Sequence, residues 1–255
     1  MNLKQRMQAG ETLVTAWSSI PDPLTAGAIA ASAFDAVTLD MQHGGHSEES
    51  ILRSIGPVIQ NGAHPIVRVP VGRFDMASRA LDFGAEAVIA PMINTLADAQ
   101  TFAASMKYPP LGERSWGPGR AMAFHGHSDA NGYFLKANSE TLAIAMIETM
   151  AAYAIMDDIL AIGGIDGIFV GPSDFSIAFS EGRKFDPRDA QMDPTLADMA
   201  ARARKAGKFA ASFGQNAAHG RQLLTLGYQL VAIGSDTGYI KGGADALVAE
   251  TRRAS

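Results

Sequence analysis

The sequence contains no cysteine, which excludes a disulfide framework, a thiolate metal site and a cysteine nucleophile. No apolar run approaches the ~18 residues a membrane helix needs. The first eight residues, Met-Asn-Leu-Lys-Gln-Arg-Met-Gln, mix charge and apolar side chains as a short helix does, without the apolar stretch of a signal peptide. A cytoplasmic protein with no membrane partner is therefore expected. Positive charge is scarce: 21 Lys and Arg stand against 26 Asp and Glu, and no basic stripe runs along any segment, so nucleic acid is not an expected partner. None of the lysines (Lys4, Lys107, Lys136, Lys184, Lys205, Lys208, Lys241) follows an apolar run at its exit, which argues against Schiff-base chemistry. No internal repeat, low-complexity tract or linker interrupts the chain, and one domain over residues 1–255 is expected.

What the chain does contain is a repeated alternation. Eight short apolar runs, at 13–20, 37–41, 65–69, 87–92, 142–147, 167–170, 209–213 and 230–233, are separated by segments of helical period at 23–33, 47–60, 73–83, 96–106, 150–162, 194–206, 216–226 and 240–252. Alternation of this kind implies parallel strands joined by crossover helices. Eight units in 255 residues favour a closed (β/α)8 barrel over an open doubly wound sheet. The open sheet would also want a glycine-rich phosphate turn after its first strand, and residues 18–23, Ser-Ser-Ile-Pro-Asp-Pro, do not supply one. The connection 107–141 is too long for a simple loop. Placed after the fourth strand, it is expected to rise from the active face.

In a barrel, chemistry collects at the carboxyl ends of the strands. The second exit offers Asp40 and His43 before Gly44-Gly45, and an Asp beside a His can fix its tautomer and raise its basicity. The third offers Arg68 between two valines, either as a fork for an anionic ligand or as half of a salt bridge in the barrel wall. The fifth and sixth offer Glu148 and Asp174. Carboxylates from adjacent strands that meet need a cation or a shared proton, and without Cys or His beside them they suit Mg²⁺, Mn²⁺ or Co²⁺; apart, each would simply cap the next helix. Gly171-Pro172-Ser173 can open a helix whose free amides bind a substrate carboxylate. Together these parts suit a divalent metal that chelates a 2-oxo acid, a base that removes its C3 proton, and an enolate that attacks an aldehyde.

At this point the sequence resembles a known family. The carriers are 34–43 (Phe-Asp-Ala-Val-Thr-Leu-Asp-Met-Gln-His), 67–68 (Val-Arg), 81–85 (Leu-Asp-Phe-Gly-Ala), 90–95 (Ala-Pro-Met-Ile-Asn-Thr), 108–114 (Tyr-Pro-Pro-Leu-Gly-Glu-Arg), 147–149 (Ile-Glu-Thr) and 164–174 (Gly-Ile-Asp-Gly-Ile-Phe-Val-Gly-Pro-Ser-Asp). In this order and spacing they resemble the class II pyruvate aldolases of the 4-hydroxy-2-oxoheptanedioate and 2-dehydro-3-deoxyglucarate type. The resemblance implies His43 as general base, acting through a metal-bound water, with Asp82 raising its basicity and Asp40 as a second acid in the same network. It implies Arg68 as enolate stabiliser, Glu148 and Asp174 as metal ligands, and Gly171, Pro172 and Ser173 as the carboxylate cradle. It further implies a C-terminal helix exchanged between subunits and a homohexamer built as a trimer of dimers.

Two departures stand out: Gln42 where many members carry Glu, and Met146 where they carry Gln. Both forms resemble a branch that accepts hydroxypyruvate as well as pyruvate. Phe213, at the seventh exit, is either a wall of the aldehyde pocket or ordinary core. His125 and His127 are read as a loop or subunit contact, Trp116 as closing the active site or packing between subunits, and Arg114 and Arg120 as partners of a diacid substrate or solvated charges. Two rival functions remain in view: an acyl-CoA-type lyase on the same scaffold, and a non-catalytic metal-dependent 2-oxo-acid binder.

Overall fold

Eight strands pair in sequence order, all parallel, and close into a barrel: β1 (Leu13–Ser18), β2 (Ala36–Asp40), β3 (His64–Arg68), β4 (Ala87–Ala90), β5 (Leu142–Ile147), β6 (Gly167–Val170), β7 (Phe209–Gly214) and β8 (Leu230–Ile233). The computed structural model describes residues 1–253. β8 closes on β1 through Leu13↔Leu230 and Thr15↔Ala232. This is the expected (β/α)8 architecture.

Alternation along each strand divides the apolar residues between two layers. One set, including Leu13, Trp17, Ala36, Ile66, Ile89, Ile144, Met146, Phe169, Ala211 and Ala232, fills the barrel interior. The other, including Val37, Leu39, Val67, Val88, Ala143, Ile168 and Val231, packs outward against the helices. The short helix Leu3–Gln8 seats Leu3 and Met7 into the interior set. The Leu3 amide donates to Glu86 and Lys4 pairs with Asp166, residues that immediately precede β4 and β6. The N-terminal helix thus corks the end of the barrel where the strands begin.

Residues 107–141 do not lie on the active face. The helix Leu96–Met106 has already carried the chain back to the strand starts, so the insertion begins at the opposite end of the barrel. It forms the helices Gly119–Phe124 and Ala130–Glu140 and is tied down there. Lys107 Nζ, almost wholly buried, donates to Asp166 at 2.7 Å and to the carbonyls of Thr141 and Asn138 at 2.8 and 3.1 Å. Trp116 packs on Tyr108, with ring centroids 5.6 Å apart, and stays half exposed. His125 Nε2 meets the Gly84 carbonyl, and His127 faces Glu140.

The expected helix 150–162 breaks at Ile155 into Met150–Ala154 and Met156–Ala161. The final helix starts earlier than expected, spanning Asp236–Arg253. Its first turn is anchored by buried Asp236, which accepts from the amides of Ser19 and Ile20 at 2.6 and 2.7 Å. Beyond Tyr239 it is exposed throughout, including Ile240, Leu247 and Val248. Among the described residues no helix is long and apolar enough to cross a membrane.

Candidate active site

At the carboxyl end of the barrel a cavity of about 280 Å³ is lined by Trp17, Asp40, His43, Arg68, Met146, Glu148, Phe169, Gly171, Pro172, Ser173, Asp174 and Phe213, with Ser19 and Gln215 at its rim. The strand exits at 40, 68, 148 and 174 therefore converge on one space, together with the helix opening at 171–173 and Phe213.

Asp40 and Arg68 are a register pair across β2 and β3, both inward-facing. Arg68 donates from Nε and Nη2 to the two oxygens of Asp40 at 2.8 and 2.7 Å, leaving Nη1 outside the pair. The barrel-wall salt bridge is thus present, at the cavity floor. Trp17 Nε1 adds a bond to Asp40 at 3.1 Å, and the Arg68 guanidinium lies 4.7 Å over the Trp17 ring. Burial pushes the Asp40 carboxyl up, but the Arg68 pair and the Gln42 and Trp17 donors outweigh it and hold the group below the usual Asp range.

Asp40 does not orient the His43 ring, as the sequence had suggested. Its oxygens are taken by Arg68, Trp17 and the amides of Gln42 and Gly44, and it meets His43 only through the backbone N–H at 3.4 Å. His43 itself is exposed and lines the cavity mouth. Within the chain, Asp82 lies apart from this cavity. It stands at the end of the helix Phe74–Phe83, which runs antiparallel to the strands, so its carboxylate lies at the corked end of the barrel and pairs with Arg114 at 2.6 Å. Arg114 is buried there and Arg120 donates to the Leu52 carbonyl; neither lines the cavity.

Glu148 is buried, with no cationic side chain in hydrogen-bond or salt-bridge contact among the described residues. Its Oε2 accepts from the Met92 amide at 2.9 Å. A Cβ on Gly171 would come within 2.5 Å of Glu148 Oε1, so this close approach requires glycine. Burial pushes the Glu148 carboxyl up to about 7; the Met92 donor and the charge of Arg68 pull the other way, and the charge of Asp174 adds to the rise. A desolvated carboxylate with a second carboxylate beside it is a donor set that a hard divalent cation would satisfy. Among the described residues no three His, Asp or Glu side chains gather in a metal-holding group, so the protein's share of such a site is these two carboxylates, with water and substrate oxygens to complete it. Beside them the helix Pro172–Phe179 begins, with Gly171 as its N-cap and Pro172 at its first turn, leaving the following amides open.

The opposite wall is aromatic. Phe213 meets Trp17 edge-on at 5.4 Å, and Trp17 tilts on Phe169 at 5.8 Å. Phe213 is both cavity wall and core, since it packs on the interior set. Trp17 and Phe169 were missed in the sequence. The signal was available: Leu13, Thr15 and Trp17 alternate on β1, and extending that phase to the strand exit points Trp17 inward. Met146 is buried in the same lining, and Gln42 Oε1 is buried without a hydrogen-bond partner among the described residues.

Comparison with known proteins finds relatives along nearly the whole chain. Residues 14–241 match the family model described as HpcH/HpaI aldolase/citrate lyase. A hydroxypyruvate/pyruvate aldolase of Rhizorhabdus wittichii is 34% identical over 243 residues, covering 95% of both chains. A 4-hydroxy-2-oxo-heptane-1,7-dioate aldolase of Salmonella heidelberg is 28% identical, covering 96% of this chain and 92% of that one. A crystal structure of an HpcH/HpaI aldolase/citrate lyase family protein from Burkholderia cenocepacia superposes with a TM-score of 0.87 at 28% identity, covering 98% of each chain.

Proposed function

The chain belongs to the HpcH/HpaI aldolase/citrate lyase family, and from that premise we propose that it is a divalent-metal-dependent aldolase. It adds pyruvate or hydroxypyruvate, as the enolate, reversibly to an aldehyde and gives a 4-hydroxy-2-oxo acid. Aldolase activity follows from the named relatives; the donor, the metal and the residue roles are our reading. The observation that carries it is the Glu148–Asp174 pair, a buried carboxylate with no cationic side chain in hydrogen-bond contact among the described residues, beside a second acid and opening on a cavity that also holds Arg68.

Glu148 and Asp174 would hold Mg²⁺, Mn²⁺ or Co²⁺, which when bound supplies Lewis acidity to the carbonyl of the 2-oxo acid. The open amides after Gly171 and Pro172, at Ser173 and Asp174, receive the substrate carboxylate. His43, at the cavity mouth, takes the C3 proton through water. Arg68, fixed by Asp40 with Nη1 still free of that pair, donates to the oxygen on which enolate charge develops. Trp17 and Phe213 form the wall against which the aldehyde lies. Within one chain Asp82 lies outside this set, beside Arg114.

We also read the 255 residues as one catalytic barrel, cytoplasmic, assembled as a homohexamer in which the final helix is exchanged. The exposed apolar side chains of that helix support this assembly.

Proton NMR in D₂O tests the reading. Protein supplied with Mg²⁺ or Mn²⁺ should exchange the C3 protons of pyruvate and hydroxypyruvate. EDTA should stop the exchange, borohydride should trap no adduct, and His43→Ala should slow exchange far more than it weakens metal binding. Metal-dependent pyruvate binding without exchange would leave a binder, not an aldolase. Turnover of an acyl-CoA with glyoxylate would move the assignment to the acyl-CoA-type lyases.

A further inference from the structure

Among the described residues only Met92 and Glu181 combine a side chain with a left-handed backbone, at φ 54° and φ 53°. Glu181 sits in a surface turn beside Gly182. Met92 lies two residues past the end of β4, with its amide against Glu148, which lines the active-site cavity. A long side chain in this conformation is strained and persists only where its surroundings enforce it. The surroundings do so: Ile93 is fully buried, Asn94 Oδ1 accepts from Thr149 Oγ1 at 2.6 Å, and Thr95 caps the helix Leu96–Met106.

The strain has a visible product. β4 and β5 pair as far as Ala90↔Ala145, and the ladder then stops. The left-handed turn sets the Met92 N–H relative to the anchored residues 93–95 that follow it, and this N–H, past the end of the ladder, meets Glu148 Oε2 at 2.9 Å, while Gly171 admits Oε1 on the other side. The Asn94–Thr149 bond joins the same loop to the residue after Glu148.

We propose that Met92 is a positioning residue: its strained backbone fixes the orientation of the Glu148 carboxylate before any cation arrives. This rests on the reading of Glu148 as a metal ligand. Residues that tolerate the left-handed region should then substitute for Met92, and β-branched residues should not, whatever their hydrophobicity.

The test is Mn²⁺ binding to metal-stripped protein, followed by the EPR signal of free Mn²⁺, with melting curves in EDTA alongside. Met92→Asn should bind within about threefold of the unchanged protein, and Met92→Val should bind about tenfold more weakly or worse, the range lost when a ligand's supporting partner is removed. A Met92→Val protein that melts lower yet binds Mn²⁺ normally would overturn the proposal and leave Met92 a structural turn. Should the valine variant not fold, amide hydrogen exchange in metal-free protein decides. The Met92 amide should exchange faster in Glu148→Ala, and unchanged protection would overturn the proposal. If the unchanged protein and Glu148→Gln bind Mn²⁺ alike, the metal reading fails, and the exchange experiment still reports on the Met92–Glu148 contact.

Discussion

Arg68 answers to two partners, Asp40 on its own barrel wall and the substrate in front of it. Arg68→Ala should lower turnover by about 10²–10³-fold, the usual loss for an oxyanion donor. It should also destabilise the fold by about 3–5 kcal/mol, because Asp40 is left buried without its cation. Arg68→Lys should recover part of the stability but little of the rate, since an ammonium cannot make the two-point contact. Steady-state rates and denaturant melts separate the two effects. The two cavity carboxyls should also respond oppositely to pH. Asp40 is held low, so its contribution is present above about pH 4 and is lost as pH falls further. Glu148 is pushed up to about 7, so the folded protein holds that proton more tightly than the unfolded chain does. In EDTA, stability should therefore fall as pH rises from about 4.5 to beyond 7, by about 3 kcal/mol. Glu148→Gln should flatten that limb, and a limb unchanged in the variant would contradict the assignment. Arg68, Glu148 and Asp174 were legible because a charge at the end of an apolar strand is costly to bury unless a ligand or an ion pair answers it. The partner of each was less so: Asp40 was assigned to the nearer His43 in sequence, whereas its neighbour in register is Arg68.

At the scale of elements, all eight strands were legible from apolar runs, with ends shifted by one or two residues where the last apolar side chain belongs to the exit loop. The 107–141 insertion was misplaced because it was counted from the fourth strand instead of from the helix that follows it. The same direction of travel explains Asp82, which ends a helix and so lies with the strand starts. Lys107 is the pin that holds the insertion there, with three acceptors around one ammonium. Lys107→Met should cost about 3–5 kcal/mol, since it strips Asp166 of a buried partner and leaves two carbonyls unanswered. Chemical denaturation would show this, and Lys4, still paired with Asp166, sets how much is retained. The active-site cavity should keep its metal affinity in this variant, because the change is at the other end of the barrel.

For the whole molecule, the final helix decides what can be predicted. Leu247 and Val248 are 68% and 48% exposed on a helix anchored to the barrel at its first turn. A double change, Leu247→Glu with Val248→Glu, should leave the barrel folded by circular dichroism and reduce the mass seen by light scattering. An unchanged mass would remove this helix from the assembly. Assembly was the part least legible in the residues themselves, because an exposed apolar helix face marks a candidate contact surface and says neither what meets it nor how many copies are involved.

The cork formed by Leu3 and Met7 shuts the far end of the barrel, so the reaction chamber opens at the strand exits. A keto acid seated against buried Glu148 should enter before an aldehyde that rests on the partly exposed Phe213, and should depart after it. Initial-rate patterns for condensation should accordingly be sequential and ordered, with the keto acid leading. The aldehyde, present in excess, should slow the reaction by occupying the chamber ahead of the keto acid.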